Sequence, residues 1–80
     1  MLTWGERPDG GAVGYSADGK RRYVIAPKRT GKGKHACTVF IVTIHDEDVN
    51  GQRLGKDQNS LHEAKAACEA DYAEQGAPHA

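Results

Sequence analysis

Hydrophobic and polar positions alternate with three different rhythms along the chain. The densest run, Lys34–His45, reads Lys-His-Ala-Cys-Thr-Val-Phe-Ile-Val-Thr-Ile-His and is rich in β-branched and aromatic residues, the types that pack well on a pleated surface. Divided by the two-residue period of a strand, it places Ala36, Thr38, Phe40, Val42 and Ile44 on one face and Cys37, Val39, Ile41 and Thr43 on the other. Both faces are largely apolar, so this strand expects cover on both sides. Ahead of it, Ala12–Ser16 forms a short strand, Asp18-Gly19 supplies the positive backbone angles of a tight turn, and Lys20–Ala26 returns. Pro27 cannot donate to a ladder and is expected to close that second strand, leaving Lys28–Lys34 as a flexible basic loop.

Beyond the long strand the period changes. Asp46–Asp57 is acidic and turn-prone, with a tight turn expected at Asn50-Gly51 and a short return strand over 52–54. Ser60 and Glu63 form a capping box, and Leu61, Ala64, Cys68 and Tyr72 follow on one stripe at steps of three and four. Gly76 and Pro78 end that helix. The expected fold is therefore α+β: an antiparallel β-meander of three to four strands followed by one C-terminal helix packed on one face. Residues 1–80 make a single domain, with an arm or edge strand and loop over 1–11, the meander over 12–57, the helix over 60–75 and a frayed tail over 76–80.

One helix covers one side of such a sheet, and the pattern leaves open which. In one assignment Phe40, Val42 and Ile44 face Leu61, Ala64 and Cys68, and the other side needs the arm with Trp4, a second copy or a target. Trp4, Val39 and Ile41 thus form a candidate association face, and a homodimer is one expected state.

Charge adds a second asymmetry. The formal net charge is zero, with 11 Lys/Arg and 11 Asp/Glu, yet the chain is bipolar. Residues 1–44 hold eight bases and three acids, and residues 45–80 hold three bases and eight acids, giving +5 and −5. Such a field steers partners more than it decides a fold. Lys20, Arg21, Arg22, Lys28, Arg29, Lys32 and Lys34 form a candidate basic surface suited to phosphate backbones, with Tyr15 or Tyr23 to stack on bases, or else a solvated face that keeps an edge soluble. Glu69, Asp71 and Glu74 sit in the C-terminal half of the helix, where the dipole disfavours them, and form a candidate acidic surface for a protein partner.

Catalysis and metals find little purchase. Asp46, Asp48, Asn50, Gly51 and Asp57 match the spacing of a calcium loop, but Arg53 occupies its apolar anchor and a strand precedes it; an acidic turn explains the same residues. Gly14–Lys20 has the spacing of a phosphate loop, but Arg21 stands where a Ser or Thr would hold magnesium, which favours a hairpin. His35, Cys37, His45, His62, Cys68 and His79 include no pair at a zinc-site spacing, and the two cysteines read as small core residues of a reducing compartment. No catalytic constellation can be placed in a chain with so small a core, so neither an enzyme nor a cofactor is expected. No apolar run is long enough for a membrane span and no export signal opens the chain, which makes the cytosol the expected location.

With the hairpin Tyr15–Tyr23, the long strand and the helix opening Ser60-Leu61-His62-Glu63-Ala64-Lys65 in view, the chain resembles small accessory proteins of phages and prophages. Within that group its size, polarised charge and lack of catalytic motifs are similar to those of anti-CRISPR proteins. That resemblance implies stoichiometric inhibition of a host CRISPR effector complex in the host cytoplasm. The chain also resembles the arm-type DNA-binding domain of phage integrases, which implies three strands and a helix with the sheet laid on DNA.

Overall fold

The computed structural model describes residues 2–17, 19–31 and 33–76, and Met1, Asp18, Lys32 and 77–80, including His79 and the tail, lie outside the described residues. Five strands, β1 (Thr3–Glu6), β2 (Ala12–Tyr15), β3 (Arg22–Thr30), β4 (Cys37–His45) and β5 (Asn50–Arg53), form one antiparallel sheet in chain order. A single helix, α1 (Leu61–Asp71), follows and runs into a π-type turn over Tyr72–Gly76. The Ser60 hydroxyl accepts the Glu63 amide at 3.1 Å and starts α1, satisfying one of the donors that a helix leaves unpaired.

The helix takes one face of the sheet. In-register partners Ala12 and Ile25, Ile25 and Val42, and Tyr23 and Ile44 point to that side, where they form the core with Leu2, Ala64, Cys68 and Tyr72. Phe40, Leu54 and Leu61 pack at its margin. The expected stripe on α1 and the face Phe40, Val42 and Ile44 therefore meet.

Of the two alternatives for the N-terminal stretch, the edge strand is the one that forms: Thr3–Glu6 adds a fifth strand to the sheet, with Trp4 opposite Gly14, and Trp4 does not fold over Val39 and Ile41. Trp4 lies on the helix side, against Gly14 and with the Lys65 ammonium 5.5 Å from its ring centroid. A Cβ on Gly14 would stand 2.9 Å from that ring, so the glycine is what lets the indole close over β2. Leu2 is buried, and its amide donates to Glu69 at 2.7 Å.

Pro27 does not end β3. Phe40, its partner in register, exchanges both of its backbone hydrogen bonds with Gln58 on the far side. Pro27 therefore sits in a non-hydrogen-bonded pair with its nitrogen turned toward the β2 side, beyond the last β2 partner, Ile25. Its missing donor costs nothing there. Ala26–Thr30 and Cys37–Ile41 continue past the sheet as a two-stranded ribbon of about 16 Å, closed by Gly31 and a 3₁₀ turn at Gly33–His35. Lys28 and Arg29 are strand residues on opposite faces of this ribbon, not parts of a loop.

The turn between β4 and β5 is at Asp46–Val49 rather than Asn50-Gly51. Asp46 Oδ1 accepts the amides of Asp48 and Val49 at 2.8 and 2.7 Å, an Asx turn that sets the bend four residues early. Cys37, finally, is exposed on the ribbon while Cys68 is buried, and both are free thiols.

A polar cluster ties these pieces together. Arg21 Nε donates to the Tyr23 hydroxyl at 2.7 Å, while its terminal nitrogens reach Asp46 at 3.1 Å and Asp71 at 3.0 Å. Tyr23 donates to the same Asp71 oxygen at 2.6 Å. The β2–β3 turn, the β4–β5 turn and the C-terminal end of α1 are thereby joined through one guanidinium. Burial disfavours the Arg21 cation, but the hydrogen bonds to Tyr23 and Asp71 outweigh it and its pKa lies above the ordinary value. Burial and the bond to Asp71 likewise hold the Tyr23 hydroxyl above its usual range.

Two predictions follow from the core. In a double-mutant cycle, Arg21→Met and Asp71→Asn each cost about 2–4 kcal/mol in urea unfolding, with a coupling of at least about 1 kcal/mol. The exposed Lys20–Glu47 pair, 3.6 Å apart, couples by less than about 0.5 kcal/mol; equal couplings would refute the central role of Arg21.

The second concerns alkali. Burial pushes the Cys68 thiol up from 9.0 to about 12, with the Asp71 and Glu69 carboxylates adding to it. Between those values the unfolded chain sheds a proton that the folded chain keeps, so stability is full below about pH 9 and falls as pH rises toward 12. Each such group steepens the loss by up to about 1.4 kcal/mol per pH unit. Unfolding free energies measured between pH 7 and 11 therefore decline above pH 9, and Cys68→Ala declines less steeply. An unchanged slope in that variant would remove the thiol from the explanation.

Candidate nucleic-acid interface

The sheet face turned away from α1 is built by the alternate positions. Across it runs the row Thr3, Tyr15, Arg22 and His45, each opposite the next in register, and beside it lie Val13, Val24 and Thr43. Ala26, Lys28, Val39 and Ile41 carry the same face onto the ribbon. None of the β1–β4 positions on this face is acidic. Val13, Val24, Val39 and Ile41 are half-buried, whereas Arg22 and Lys28 are exposed and Tyr15 is 44% exposed, a large apolar ring left in solvent.

The candidate basic residues divide. Arg21 is internal, held by Tyr23, Asp46 and Asp71. Arg22 and Lys28 stand on the open face, Arg29 on the other face of the ribbon and Lys34 in the turn at its tip, all exposed. Lys20 lies in the β2–β3 turn beside Glu47. Lys32 lies outside the described residues. Of the two tyrosines considered for stacking, Tyr23 is fully buried and only Tyr15 is available. Trp4 belongs to the helix side, so it shares no face with Val39 and Ile41.

The candidate acidic residues of α1 and the turn that follows it are mostly spent within the fold. Glu69 accepts the Leu2 amide, Asp71 holds Arg21 and Tyr23, and Glu74 is exposed. The unfavourable position of Asp71 near the helix end is offset by the guanidinium placed against it. Two of the three calcium-loop carboxylates are likewise engaged, Asp46 by Arg21 and its own turn and Asp57 by Arg53, while Asp48 is exposed. Among the described residues no group of three His, Cys, Asp or Glu side chains converges for a metal, and no helix is long and apolar enough to cross a membrane.

At one end of the open face the two turns rise around the row and leave a recess of about 370 Å³. Tyr15, Arg22 and His45 line it from the sheet, with Lys20, Glu47 and Asn50 from its rim. The His45 ring is fixed there, since Nδ1 lies 2.9 Å from Asn50 Oδ1 and Nε2 lies 3.3 Å from Thr43 Oγ1. Nothing in the sequence pattern announces this recess, because it depends on the β4–β5 turn closing at Val49. A residue-by-residue count of charge also could not separate Arg21 from Arg22; only the strand period, applied with the correct strand start, does so.

No protein-family model, curated protein or solved structure matches the chain.

The two thiols give a direct check of this arrangement. A thiol-reactive chromogenic disulfide modifies one cysteine of the native protein rapidly and the second only in denaturant. Rapid reaction is abolished by Cys37→Ser and retained in Cys68→Ala. Two fast thiols in the native protein would contradict the burial of Cys68.

Proposed function

We propose that this protein acts by binding, without catalysis, and that its ligand is nucleic acid laid along the open sheet face and the ribbon. The observation that carries this reading is the composition of that face: exposed Arg22 and Lys28, an exposed Tyr15, and no acid at any of the β1–β4 positions that point to it. Arg29 and Lys34 extend the positive surface around the ribbon and its tip. Cations spaced along strands fix the register of a phosphate backbone and release its counterions, while a tyrosine supplies a stacking surface that every base can use. The opposite pole of the chain does not compete, because Asp46, Glu69 and Asp71 are satisfied within the fold.

A second reading rests on the half-buried apolar residues Val13, Val24, Val39 and Ile41 of the same face. They suit a protein surface better than phosphates. In that reading the chain is a phage-derived, anti-CRISPR-type inhibitor that sits on a host effector complex in the host cell, with the cations around the strip choosing an acidic partner surface.

Electrophoretic mobility shift at low and rising salt separates the two. Short DNA and RNA strands are retarded, with an affinity that falls on a log–log salt plot with a slope of about −3, as expected for four phosphate contacts on a single strand. The triple variant Arg22→Ala, Lys28→Ala, Arg29→Ala loses at least tenfold in affinity at low salt and flattens the slope by about two. Its unfolding free energy stays within about 1 kcal/mol of the parent, because these side chains are exposed. No retardation of any nucleic acid at low salt would remove the first reading. Capture of a purified CRISPR effector complex by the parent, lost on replacing Val39 and Ile41 with Ser, would then support the second.

A further inference from the structure

We infer that the recess between the two turns binds one unpaired guanine base of a single strand, a step that rests on the nucleic-acid reading above. Three observations meet there. Tyr15 is the exposed aromatic ring on the open face, and its partner in register is the exposed Arg22. A base leaving the phosphate path beside Arg22 therefore meets a ring to stack on. The recess also mixes charge in a way that a bare phosphate site would not, since Glu47 and Asp46 stand among its cations. A carboxylate repels phosphate but accepts hydrogen bonds from the edge of a base.

The two carboxylates are not equivalent. Asp46 has both oxygens engaged, one by the amides of Asp48 and Val49 and the other by Arg21. Glu47 is bound more loosely, with Lys20 Nζ at 3.6 Å and both side chains about two-thirds exposed. Glu47 is thus the carboxylate able to turn to a ligand. Guanine alone among the bases offers two adjacent donors, N1–H and the N2 amino group, that a carboxylate accepts side by side. Adenine and cytosine set a ring acceptor beside their amino group, and thymine and uracil flank their one donor with two carbonyls, so each meets a carboxylate with a repulsive lone pair.

The rest of the rim completes the match. Asn50 Oδ1 accepts from His45 Nδ1, which leaves the Asn50 amino group as a donor toward the guanine carbonyl O6. Arg22 is exposed and makes no side-chain hydrogen bond or ion pair among the described residues, and it is the second donor of the recess, toward O6 or N7. The recess, of about 370 Å³, is a shallow depression open to solvent, which suits a flat ring laid on Tyr15 rather than an enclosed ligand. A single base stacked on Tyr15 is a ligand of that scale.

The test uses the full chain and twelve-nucleotide oligothymidine strands carrying one central guanine, adenine or cytosine, with binding followed by fluorescence anisotropy. The guanine strand binds about tenfold tighter than the others. Glu47→Gln brings that preference below about twofold while leaving the affinity for plain oligothymidine within twofold. Tyr15→Ala weakens all strands by about fivefold or more without changing unfolding free energy. Equal affinity for all four strands, or a preference that survives Glu47→Gln, would overturn the guanine site and leave general nucleic-acid binding standing. Absence of binding to every strand would overturn both.

Discussion

Arg21 is the side chain through which the separate parts of this small fold are held in one arrangement. Its guanidinium donates in three directions, to Tyr23 on the strand that follows it, to Asp46 in the β4–β5 turn and to Asp71 at the end of α1. The planar fork suits this, because a lysine ammonium would hold the same charge without fixing three directions. Around it every buried side-chain nitrogen or oxygen among the described residues has a partner, so the cluster satisfies its own desolvation. The apolar core alone is small: Tyr23, Ile25 and Cys68 are its largest fully enclosed side chains. With so little apolar volume, a network that links two turns to the helix end does much to decide where α1 lies on the sheet.

That position has a consequence for the opposite face. Because Tyr23 spends its hydroxyl on Asp71 and its ring on the core, the neighbouring alternate positions, Arg22 and Val24, are turned to the outside. The inward and outward neighbours Arg21 and Arg22 therefore have unlike fates that follow from one residue of register. An inward shift of Arg22 would bury an unpaired cation and expose Tyr23, so the register and the charge of the open face are specified together.

Much of the meander was legible because its signals are local. The long apolar run became β4, the stripe Leu61, Ala64, Cys68 and Tyr72 became the buried side of α1, and the Ser60 cap formed. The errors arose where a local rule depends on what lies across the sheet. Pro27 ends a strand only if its nitrogen faces a partner, and here β2 has already stopped. Thr3–Glu6 by itself leaves an edge strand and an arm both open, because it holds a glycine and little alternation; its pairing with β2 and the Trp4–Gly14 contact decide for the strand. Asn50-Gly51 is a strong turn dipeptide, yet Asp46 captures the bend first through its own side chain.

The candidate interface was legible only as charge, and charge by itself misassigned residues in both directions. Seven bases between Lys20 and Lys34 looked like one surface, but the six described ones divide: Arg21 is internal, Lys20 is in the β2–β3 turn, Arg22 is on the open sheet face, Lys28 and Arg29 are on opposite faces of the ribbon and Lys34 is at its tip. The acidic helix end looked like an opposing surface, but Glu69 and Asp71 belong to the packing of β1 and Arg21. What remains outside is narrower and more informative than the bipolar sequence implied: a sheet face with cations, one open aromatic ring and an apolar strip. In a face-to-face pair of two copies, Arg22 and Lys28 of both would share one interface that carries no acid on β1–β4 of this face, so the same cations that would steer a polyanion also weigh electrostatically against self-pairing.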